Sequence, residues 1–314
     1  MTRAVVATAF GSPEVLSFVD IEDESPGPGE IAVDVRAAGV NPADAKMYGG
    51  QFATKTPLPM RIGMEASGVV TAVGDEAVGP RGQIAVGDEV ILFRISGGYA
   101  ERVVVNAGSA VPKPANMTFE EAAGLMLTGV TAVHALTATG VEQGDTVLIH
   151  GASGGVGQMA VQLALARGAR VIGTASAARH DVVRALGAEP VSYGDGLTDR
   201  IRSLAPGGVD AAIDTAGTDE AIDVSLELVS DRSRIATIAA FARGFESGIK
   251  VLGFGPGAEA GDDIRSAARL ELVDLVAAGK VSVAVAAAYP LTQVVDSQNA
   301  ILTGHTAGKI VLVP

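Results

Sequence analysis

One glycine-rich turn constrains the fold of this chain more than any other segment. Residues 146–149 are β-branched or aliphatic, which is typical of a buried parallel strand, and four glycines follow within the next eight residues. Apolar residues then recur at helical spacing, and the apolar run Arg170–Thr174 ends the segment. A strand, a glycine turn, a helix start and a second strand in this order form one βαβ unit, and this context predicts a dinucleotide-binding turn.

The turn has the pattern Ala152-x-Gly154-x-x-Gly157, in which alanine replaces the first glycine of the dinucleotide fingerprint. Glycine lets the backbone approach a pyrophosphate closely, and the start of a helix offers unpaired N–H groups and the positive end of its dipole. A glycine turn without a ligand is the alternative. The predicted pyrophosphate-binding residues are Ala152, Ser153, Gly154, Gly155, Val156 and Gly157.

The end of the second strand predicts which nicotinamide cofactor binds. A carboxylate about 20 residues after the turn is typical of NAD sites, because it accepts a hydrogen bond from the ribose 2′-hydroxyl. Here Ser176 occupies that place, and residues 174–179 contain no carboxylate. The hydroxyl of Ser176 and the guanidinium of Arg179 would bind a 2′-phosphate, so NADPH is the predicted cofactor. Alternatively, Arg179 is a solvated residue in the first turn of the next helix.

The composition disfavours several kinds of partner. A formal net charge of −13 argues against nucleic acid and anionic membranes as partners. No apolar run of about 18 residues and no apolar leader occurs, so we expect no membrane span and a cytoplasmic protein. The sequence contains no cysteine, and its histidines lack the spacing of metal ligands. We predict no metal, and structural roles for His134, His150, His180 and His305.

The first 120 residues differ from the middle of the chain. Short apolar runs are separated there by Gly, Pro and Asp, which predicts a mainly antiparallel β domain. A single helix is predicted to follow the N-cap residue Thr118 and to extend to residue 136. The predicted strands are Ala4–Ala9, Ile31–Ala38, Ala66–Val73, Glu89–Phe93 and Ala100–Val105.

Strands and helices alternate after the βαβ unit, which is typical of a parallel sheet with helices on both faces. The last helix is predicted to end at Gly279-Lys280, and the tail returns to short strands, including Lys309–Val313. The predicted fold class is α/β, a Rossmann doubly wound parallel sheet (residues 121–280) inserted into the β domain (residues 1–120 plus 281–314). Within the Rossmann domain, the elements predicted after the βαβ unit are the helices His180–Leu186 and Asp219–Val229 and the strands Val209–Ile213, Arg234–Ala239 and Gly248–Phe254.

Several segments together resemble one enzyme family. They are AAGVNPADAKMYGG (37–50), GMEASGVVTAVG (63–74), GGYAE (97–101), LTGVTAVHAL (127–136), IHGASGGVGQMAVQLA (149–164), GVDAAIDTAG (208–217) and HTAGKIVLVP (305–314). In this order they resemble the medium-chain dehydrogenase/reductases, and more closely their zinc-independent quinone oxidoreductase (zeta-crystallin-like) branch. The resemblance implies that the β domain is GroES-like.

The sequence departs from the zinc-dependent members of that family at both of their metal sites. Those enzymes have Gly-His-Glu where this chain has Gly63-Met64-Glu65, and a thioether does not replace imidazole as a zinc ligand. The four-cysteine lobe is missing as well, since residues 93–99 pass through a short glycine turn. We therefore expect chemistry that does not use zinc.

The resemblance implies roles for single residues, each with a structural alternative. Asn41 is expected near the nicotinamide and the substrate, where its amide would bond a carbonyl oxygen or the ribose; an Asn-Pro turn is the alternative. Thr131 is expected to contact the nicotinamide carboxamide, unless its hydroxyl bonds back to its own helix. Tyr193 is expected beside the adenosine phosphate, unless it packs at a domain surface, and Gly217 at a strand end that faces the cofactor.

Tyr48 is the second expected catalytic residue, acting as a donor or as a wall for a flat substrate. Asp44 and Lys46 are nearby in the sequence; either Lys46 stabilises an enolate, or the two residues form a surface pair. The segments Gly50–Leu58 and Phe241–Glu246 are expected to be loops that shape the substrate site.

These expectations combine into NADPH-dependent hydride transfer to a quinone or to a conjugated carbonyl such as an enone. Reduction of an enoyl thioester is one alternative, and a non-catalytic NADPH-binding protein is another. The apolar segment Gly248–Phe254 comes last in the predicted parallel sheet, where an open edge would pair with its copy in a second chain. We therefore predict a homodimer through this strand, and the resemblance implies the same.

Overall fold

The computed structural model describes residues 1–51, 56–304 and 306–314. They form two compact units, which we call the β-rich unit (Met1–Leu127 with Arg269–Pro314) and the parallel-sheet unit (Thr128–Ala268). The domain boundaries at residues 121 and 280 stay a prediction. Part of the predicted loop Gly50–Leu58, and His305, lie outside the described residues.

The elements are numbered in chain order. The strands are β1 Thr2–Ala7, β2 Leu16–Ile21, β3 Glu30–Val40, β4 Met60–Arg61, β5 Glu65–Val73, β6 Val78–Gly79, β7 Gly82–Gln83, β8 Glu89–Phe93, β9 Arg102–Asn106, β10 Ala110–Pro112, β11 Thr146–His150, β12 Arg170–Thr174, β13 Glu189–Val191, β14 Ala211–Asp214, β15 Ile235–Thr237, β16 Lys250–Val251, β17 Val285–Pro290 and β18 Lys309–Val313. The α-helices are α1 Pro42–Tyr48, α2 Phe119–Ala123, α3 Met126–Ala138, α4 Gly155–Ala166, α5 His180–Ala185, α6 Leu197–Leu204, α7 Asp219–Leu228, α8 Phe241–Ser247, α9 Asp262–Ala277 and α10 Val294–Leu302.

Six parallel strands form the sheet of the parallel-sheet unit, in the order β13-β12-β11-β14-β15-β16. In β11, Val147, Leu148 and Ile149 are completely buried, as expected for a strand with both faces covered. The strand order reverses between β11 and β14, and open sheets of this kind bind ligands beyond the carboxyl ends of the strands at such a point. The glycine-rich turn follows β11 directly.

A mainly antiparallel sheet forms the framework of the β-rich unit. Its strand order is β10-β8-β5-β3-β18-β17, and β9 also pairs with β3; β17 and β18 are parallel to each other. Ile310 of β18 pairs with Val40 of β3, so Lys309 at the start of β18 lies beside Asn41, which follows β3. The predicted α/β fold class, with one parallel and one mainly antiparallel sheet, is confirmed.

The helix predicted to run from Thr118 to residue 136 is two helices, α2 and α3, separated at Gly124. The predicted cap is present, since Thr118 Oγ1 accepts a hydrogen bond from the Glu121 amide at 3.2 Å and Glu121 Oε2 accepts one from the Thr118 amide at 2.8 Å. A Cβ atom at Gly124 would lie 2.8 Å from Lys309 Cγ. The close approach of β18 therefore requires glycine where the periodicity alone indicated an unbroken helix.

Two predictions near residue 250 were wrong. The predicted loop Phe241–Glu246 is part of the helix α8, and the predicted strand Gly248–Phe254 is reduced to the two residues of β16. The chain turns after β16 and bonds to itself: the Glu259 amide donates to Val251 O at 2.8 Å, and the Gly253 amide donates to Glu259 O at 2.9 Å. This part of the sheet edge is therefore covered by the chain's own backbone.

The tail also contains more helix than predicted, because α10 lies between β17 and β18. Ser297 and Gln298 of α10 are completely buried, so this helix contributes polar side chains to the interior of the β-rich unit. None of the described helices is both long enough and apolar enough to cross a membrane.

Candidate functional site

The glycine-rich turn leads into helix α4 in the conformation that an anion-binding turn requires. Gly154 is the N-cap residue, with extended backbone angles (φ −79°, ψ 172°), and α4 begins at Gly155. The amide groups of the first helical turn have no acceptor within the helix. Gln158 Nε2 donates to Ser153 O at 2.8 Å and holds the turn in place. These features fit a pyrophosphate, whose oxygens accept hydrogen bonds from such amides.

The glycines of the turn have different functions. A Cβ atom at Gly157 would lie 2.1 Å from Gly151 O, so this glycine allows the helix to pack against the strand end. A Cβ atom at Gly154 would meet only Gly151 O, at 3.4 Å, so the Cα of Gly154 faces open space. That space is where a ligand would approach the backbone.

Alanine at the first fingerprint position is explained by its neighbour in β12. Ala152 is completely buried, and a Cβ atom at Gly173 would lie 2.6 Å from Ala152 Cβ. The methyl group of Ala152 therefore fills space that Gly173 leaves, and this pairing of alanine with glycine keeps the turn close to the sheet.

A carboxylate organises the loop after β14. Asp214 Oδ1 accepts hydrogen bonds from the amides of Ala216 and Gly217, both at 2.9 Å, and Oδ2 accepts one from Thr237 Oγ1 at 2.7 Å. Gly217 has a positive φ of 79°, which favours glycine. Burial raises the pKa of Asp214, and these three hydrogen bonds oppose the shift. The predicted cofactor residue Gly217 thus lies in a loop that is held firmly at the carboxyl edge of the sheet.

A neutral histidine ends β11, directly before the glycine turn. Ser225 Oγ donates to Ala221 O at 2.7 Å, so it accepts from His150 Nε2 at 3.2 Å, and His150 Nδ1 is left to accept from Thr174 Oγ1 at 3.5 Å. Burial alone lowers the pKa of His150 to about 4. The structural role that we predicted for this histidine matches these contacts.

The residues predicted to distinguish NADPH from NADH lie close to one another. Ser176 precedes a 3-10 turn that ends at Arg179, whose amide donates to Ser176 O at 2.8 Å, and both side chains are half-buried. Residue 180 is linked to the next strand end, because His180 Nε2 and Ser192 Oγ are 3.2 Å apart. Tyr193 follows with 59% of its surface exposed. The structure therefore places Ser176, Arg179 and Tyr193 at the ends of the adjacent strands β12 and β13.

Asn41 lies in the β-rich unit within a buried ionic network. Its Nδ2 donates to Gly39 O at 3.1 Å and to Glu65 Oε1 at 3.0 Å, and its Oδ1 accepts from Lys309 Nζ at 2.5 Å. Lys309 Nζ also lies 2.9 Å from Glu65 Oε1. Glu65 Oε2 accepts a hydrogen bond from the Leu127 amide at 2.8 Å. Locally, Asn41 is the N-cap residue of α1, rather than part of an isolated Asn-Pro turn.

The second expected catalytic residue, Tyr48, belongs to an adjoining chain of buried hydrogen bonds. Tyr48 Oη donates to Gln298 Oε1 at 3.1 Å, Gln298 Nε2 donates to Tyr99 Oη at 3.1 Å, and Tyr99 Oη donates to Asp44 Oδ2 at 2.8 Å. Asp44 Oδ2 also accepts from the Asn41 amide at 2.9 Å. The chain thus connects Tyr48 to the backbone of Asn41.

The surface pair suggested for Asp44 and Lys46 is wrong, because Asp44 is completely buried. Burial raises its pKa to about 7, although hydrogen bonds from Tyr99 and from the Asn41 amide lower it. Asp44 Oδ1 has no hydrogen-bond partner among the residues that the structure describes.

Sequence reasoning missed four members of these buried networks: Glu65 as an ion-pair partner, Tyr99, Gln298 and Lys309. Charged residues at the ends of apolar strands are a weak signal for such a role, and Glu65 and Lys309 both begin strands. Tyr99 and Gln298 carry no such signal. In the parallel-sheet unit, Thr131 Oγ1 accepts a hydrogen bond from Arg265 Nη1 at 3.2 Å, and Arg265 was missed as well.

Metal ligands do not cluster in the described part of the chain. Within residues 1–51, 56–304 and 306–314, no three His, Cys, Asp or Glu side chains are grouped so that they could hold a metal ion.

Known proteins share both the motifs and the fold. The sequence matches the zinc-binding dehydrogenase family over residues 155–255 and the alcohol dehydrogenase GroES-like domain over residues 27–115. It is 31% identical to a structurally determined quinone oxidoreductase of Pseudomonas syringae pv. Tomato DC3000, with a TM-score of 0.84 and complete coverage of both chains. The chain belongs to the medium-chain dehydrogenase/reductase superfamily. This similarity is consistent with the zinc-independent quinone oxidoreductase branch, and the predicted family is confirmed.

Other members of the superfamily show how broadly the fold is used. A mycobacterial structure complexed with NADPH is 31% identical, with a TM-score of 0.85 and complete coverage of both chains. The mouse synaptic vesicle membrane protein VAT-1 homolog is 38% identical over 221 residues, which are 68% of this chain and 53% of that protein. The chain spans about half the length of the curated relatives that it matches first.

Two substitutions in the glycine turn are expected to separate folding from cofactor binding. Gly157→Ala forces a methyl group against Gly151 O and should lower the free energy of unfolding by about 1–3 kcal/mol. Gly154→Ser introduces a favourable N-cap residue into open space and should leave stability unchanged, while its side chain competes for the amides that a pyrophosphate needs. Urea unfolding and NADPH titration of both variants test this. A large loss of stability in Gly154→Ser would contradict the assignment of open space at that position.

Burial of Asp44 predicts a specific pH dependence of stability. Between about pH 4 and pH 7 the folded protein retains the Asp44 proton while the unfolded chain releases it, so this group disfavours the folded state increasingly as the pH rises. The difference between the ordinary pKa of an aspartate and the raised pKa of about 7 corresponds to about 4 kcal/mol of unfolding free energy. Asp44→Asn should remove this decline from the curve of unfolding free energy against pH.

His150 provides a control with the opposite sign, since its pKa is lowered rather than raised. Between pH 6.5 and about pH 4, His150 is protonated in the unfolded chain but stays neutral in the folded protein. The free energy of unfolding therefore falls as the pH falls. His150→Gln should therefore flatten the acid side of the curve. Equal effects of both substitutions at pH 5 and pH 8 would contradict both assignments.

Proposed function

We propose that this protein is an NADPH-dependent, zinc-independent oxidoreductase that transfers hydride to a quinone or to a conjugated carbonyl. One observation carries the proposal: the turn at Gly154 opens onto the first-turn amides of α4, at the point where the order of the parallel strands reverses. The NADPH-complexed mycobacterial relative supports the cofactor class. Similarity to a quinone oxidoreductase supports the acceptor class.

The preference for NADPH rests on the end of β12. Ser176 and Arg179 share one turn, and residues 174–179 contain no carboxylate that would repel a 2′-phosphate. A guanidinium forms charge-assisted hydrogen bonds to phosphate, which are about twice as strong as neutral ones. We propose that Ser176, Arg179 and the exposed Tyr193 bind the 2′-phosphate end of NADPH, and that the turn residues 152–157 bind its middle. Gly217, whose amide already donates to Asp214 Oδ1, would contact the cofactor without that amide.

The chemistry that NADPH supplies when bound is a hydride, and the protein's own residues hold and orient the reactants. Both hydrogens of Asn41 Nδ2 are used by Gly39 O and Glu65 Oε1. Asn41 Oδ1 accepts from Lys309 and retains a second lone pair. We therefore propose that Asn41 accepts a hydrogen bond from a ribose hydroxyl, rather than donating one to a substrate carbonyl.

Tyr48 is proposed to act through its ring. Its hydroxyl already donates to Gln298, and burial raises its pKa, so the phenol does not readily give up a proton. Tyr48 is the last residue of α1, the helix that Asn41 caps, and a flat aromatic ring there would suit a planar acceptor such as a quinone. Tyr48→Phe should then retain most of the turnover, whereas loss of turnover would restore the hydroxyl as a proton donor.

NADPH oxidation with a panel of benzoquinones, naphthoquinones, enones and enoyl thioesters tests the activity. Turnover with quinones or enones is the expected result. Turnover confined to enoyl thioesters would establish the alternative acyl reductase, and tight NADPH binding without any turnover would indicate a non-catalytic NADPH-binding protein.

Arg179→Ala tests the cofactor assignment. The affinity for NADPH should fall about tenfold to a hundredfold, as expected for loss of a hydrogen bond to a charged group, while NADH affinity stays nearly unchanged. Arg184→Ala is the matched control, because Arg184 lies in the adjoining helix α5 and pairs with Asp181 at 2.6 Å on the surface. An unaltered preference for NADPH in Arg179→Ala would refute the assignment.

A homodimer through residues 248–254 is proposed as well. The strand β16, within the mainly apolar segment 248–254, lies at the edge of the parallel sheet, although the chain's own residue 259 covers part of that edge. Sedimentation equilibrium at micromolar concentration should give twice the mass of the chain. A monomeric wild type would refute the proposal.

A further inference from the structure

A buried cluster of polar side chains connects helices α3 and α9 inside the parallel-sheet unit. The side chain of Arg265 is only 3% exposed; its Nη1 donates to Thr131 Oγ1 at 3.2 Å and its Nε donates to His134 Nδ1 at 3.3 Å. The ring of Phe254 lies against the guanidinium, with 5.1 Å between its centroid and Arg265 Cζ. A charged side chain in the interior needs such partners, and one of them is the hydroxyl that we expect to contact the nicotinamide carboxamide.

The direction of the hydrogen bond between Arg265 and Thr131 is fixed by chemistry. A guanidinium has only donors, so Thr131 Oγ1 must be the acceptor. The hydroxyl therefore retains its own hydrogen for a different partner. Among the residues that the structure describes, Thr131 Oγ1 makes no other hydrogen bond. Thr131 is also buried, with 7% of its surface exposed, so a partner for this hydrogen is not readily supplied by bulk water.

A hydroxyl just after the end of α3 and another within α7 use their hydrogen differently. Thr139 Oγ1 donates to Ala135 O at 2.8 Å, and Ser225 Oγ donates to Ala221 O at 2.7 Å, each four residues back. This is the usual behaviour of serine and threonine in helices. Thr131 has no such bond to the preceding turn of α3 in the described structure. Thr131 differs from Thr139 and Ser225 in that its hydroxyl oxygen accepts a hydrogen bond from Arg265.

The guanidinium is itself held in position by a histidine of fixed tautomer. Because Arg265 Nε donates to His134 Nδ1, the proton of the neutral imidazole is on Nε2, which donates to Glu259 Oε1 at 3.3 Å. Burial lowers the pKa of His134, and this favours the neutral ring. A Cβ atom at Gly261 would lie 2.3 Å from His134 Cε1, so the start of α9 closes over the ring.

We infer that Arg265 is a positioning residue for the cofactor: it binds the oxygen of Thr131 and so directs the Thr131 hydroxyl hydrogen towards the carboxamide oxygen of the nicotinamide. This inference rests on the proposed function, since it requires that the parallel-sheet unit binds NADPH. It adds a residue distant in sequence from the glycine turn. The same inference fixes the orientation of the carboxamide: its oxygen faces Thr131, and its nitrogen does not.

A cofactor analogue reports on this hydrogen bond without any turnover. In thio-NADPH, sulfur replaces the carboxamide oxygen and is a weaker acceptor. The ratio of the two dissociation constants, measured by calorimetry, therefore measures the contact with the Thr131 hydroxyl. For one neutral hydrogen bond, the wild type should prefer NADPH by about threefold to tenfold.

Variants then assign the preference to Arg265. Thr131→Val should bring the ratio close to one, Arg265→Met should do the same, and the double variant should show no further change, because the two residues act on one bond. Arg265→Lys retains the buried charge, but an ammonium group lacks the planar set of donors that lets the guanidinium bond Thr131 and His134 at the same time. The NADPH preference of this variant should therefore also fall at least threefold. It serves as the second variant if Arg265→Met does not fold. Arg269→Met is the matched control, since Arg269 lies one turn further along α9 and donates to Gly108 O at 2.9 Å.

Each outcome decides between the alternatives. A Thr131→Val ratio near one combined with a wild-type ratio in the Arg265 variants would refute the role of Arg265 alone. A general loss of affinity for both cofactors at an unchanged ratio would show that Arg265 only stabilises the fold. No binding of NADPH by the wild type would refute the proposed function itself, and the positioning role with it.

Discussion

The β-rich unit depends on one buried ion pair, between Lys309 Nζ and Glu65 Oε1 at 2.9 Å. Their side chains are 5% and 0% exposed, so neither charge has water as a substitute partner, and removal of one member of such a pair typically costs about 3–5 kcal/mol. The pair requires two glycines. A Cβ atom at Gly39 would lie 2.4 Å from Glu65 Oε1, and one at Gly124 would lie 2.8 Å from Lys309 Cγ. The residue between α2 and α3 therefore has to be a glycine where β18 places its lysine.

The same pair limits what Asn41 can do. An amide has two hydrogens and one oxygen to offer, and the carboxylate takes one hydrogen while the ammonium binds the oxygen. Because Lys309 can only donate and Glu65 accepts, the orientation of the Asn41 amide group is determined by its surroundings. An asparagine held in this way presents an acceptor and no free donor. An asparagine that polarises a carbonyl would need a free N–H group, which Asn41 does not have.

The parts of the structure that could be predicted from the sequence are those with local signals. The strands Arg170–Thr174 and Lys309–Val313 have their predicted bounds, and the glycine turn lies between a strand and a helix as predicted. Contacts between distant residues could not be predicted: Asp44 meets Tyr99 across 55 positions and Thr131 meets Arg265 across 134. The helix α8 was missed for a different reason. It is short and follows Ala240, which has no side chain that could cap it, so neither periodicity nor capping indicated a helix.

The donors and acceptors at the carboxyl edge of the parallel sheet are mostly committed to one another. Asp214 takes two loop amides and the Thr237 hydroxyl, and Thr215 Oγ1 donates to His150 O at 2.7 Å. Buried backbone groups need hydrogen-bond partners of this kind. Because these loop groups already bond to one another, they are not available to bind a ligand. The amides at the start of α4 differ from these loop groups, because a helix cannot satisfy its own first turn and the N-cap residue, Gly154, has no side chain to do so. In a protein with a net charge of −13, a bound anion would meet an unfavourable overall field, and the unsatisfied amides at the start of α4 would provide part of the local compensation, beside the contribution proposed for Arg179.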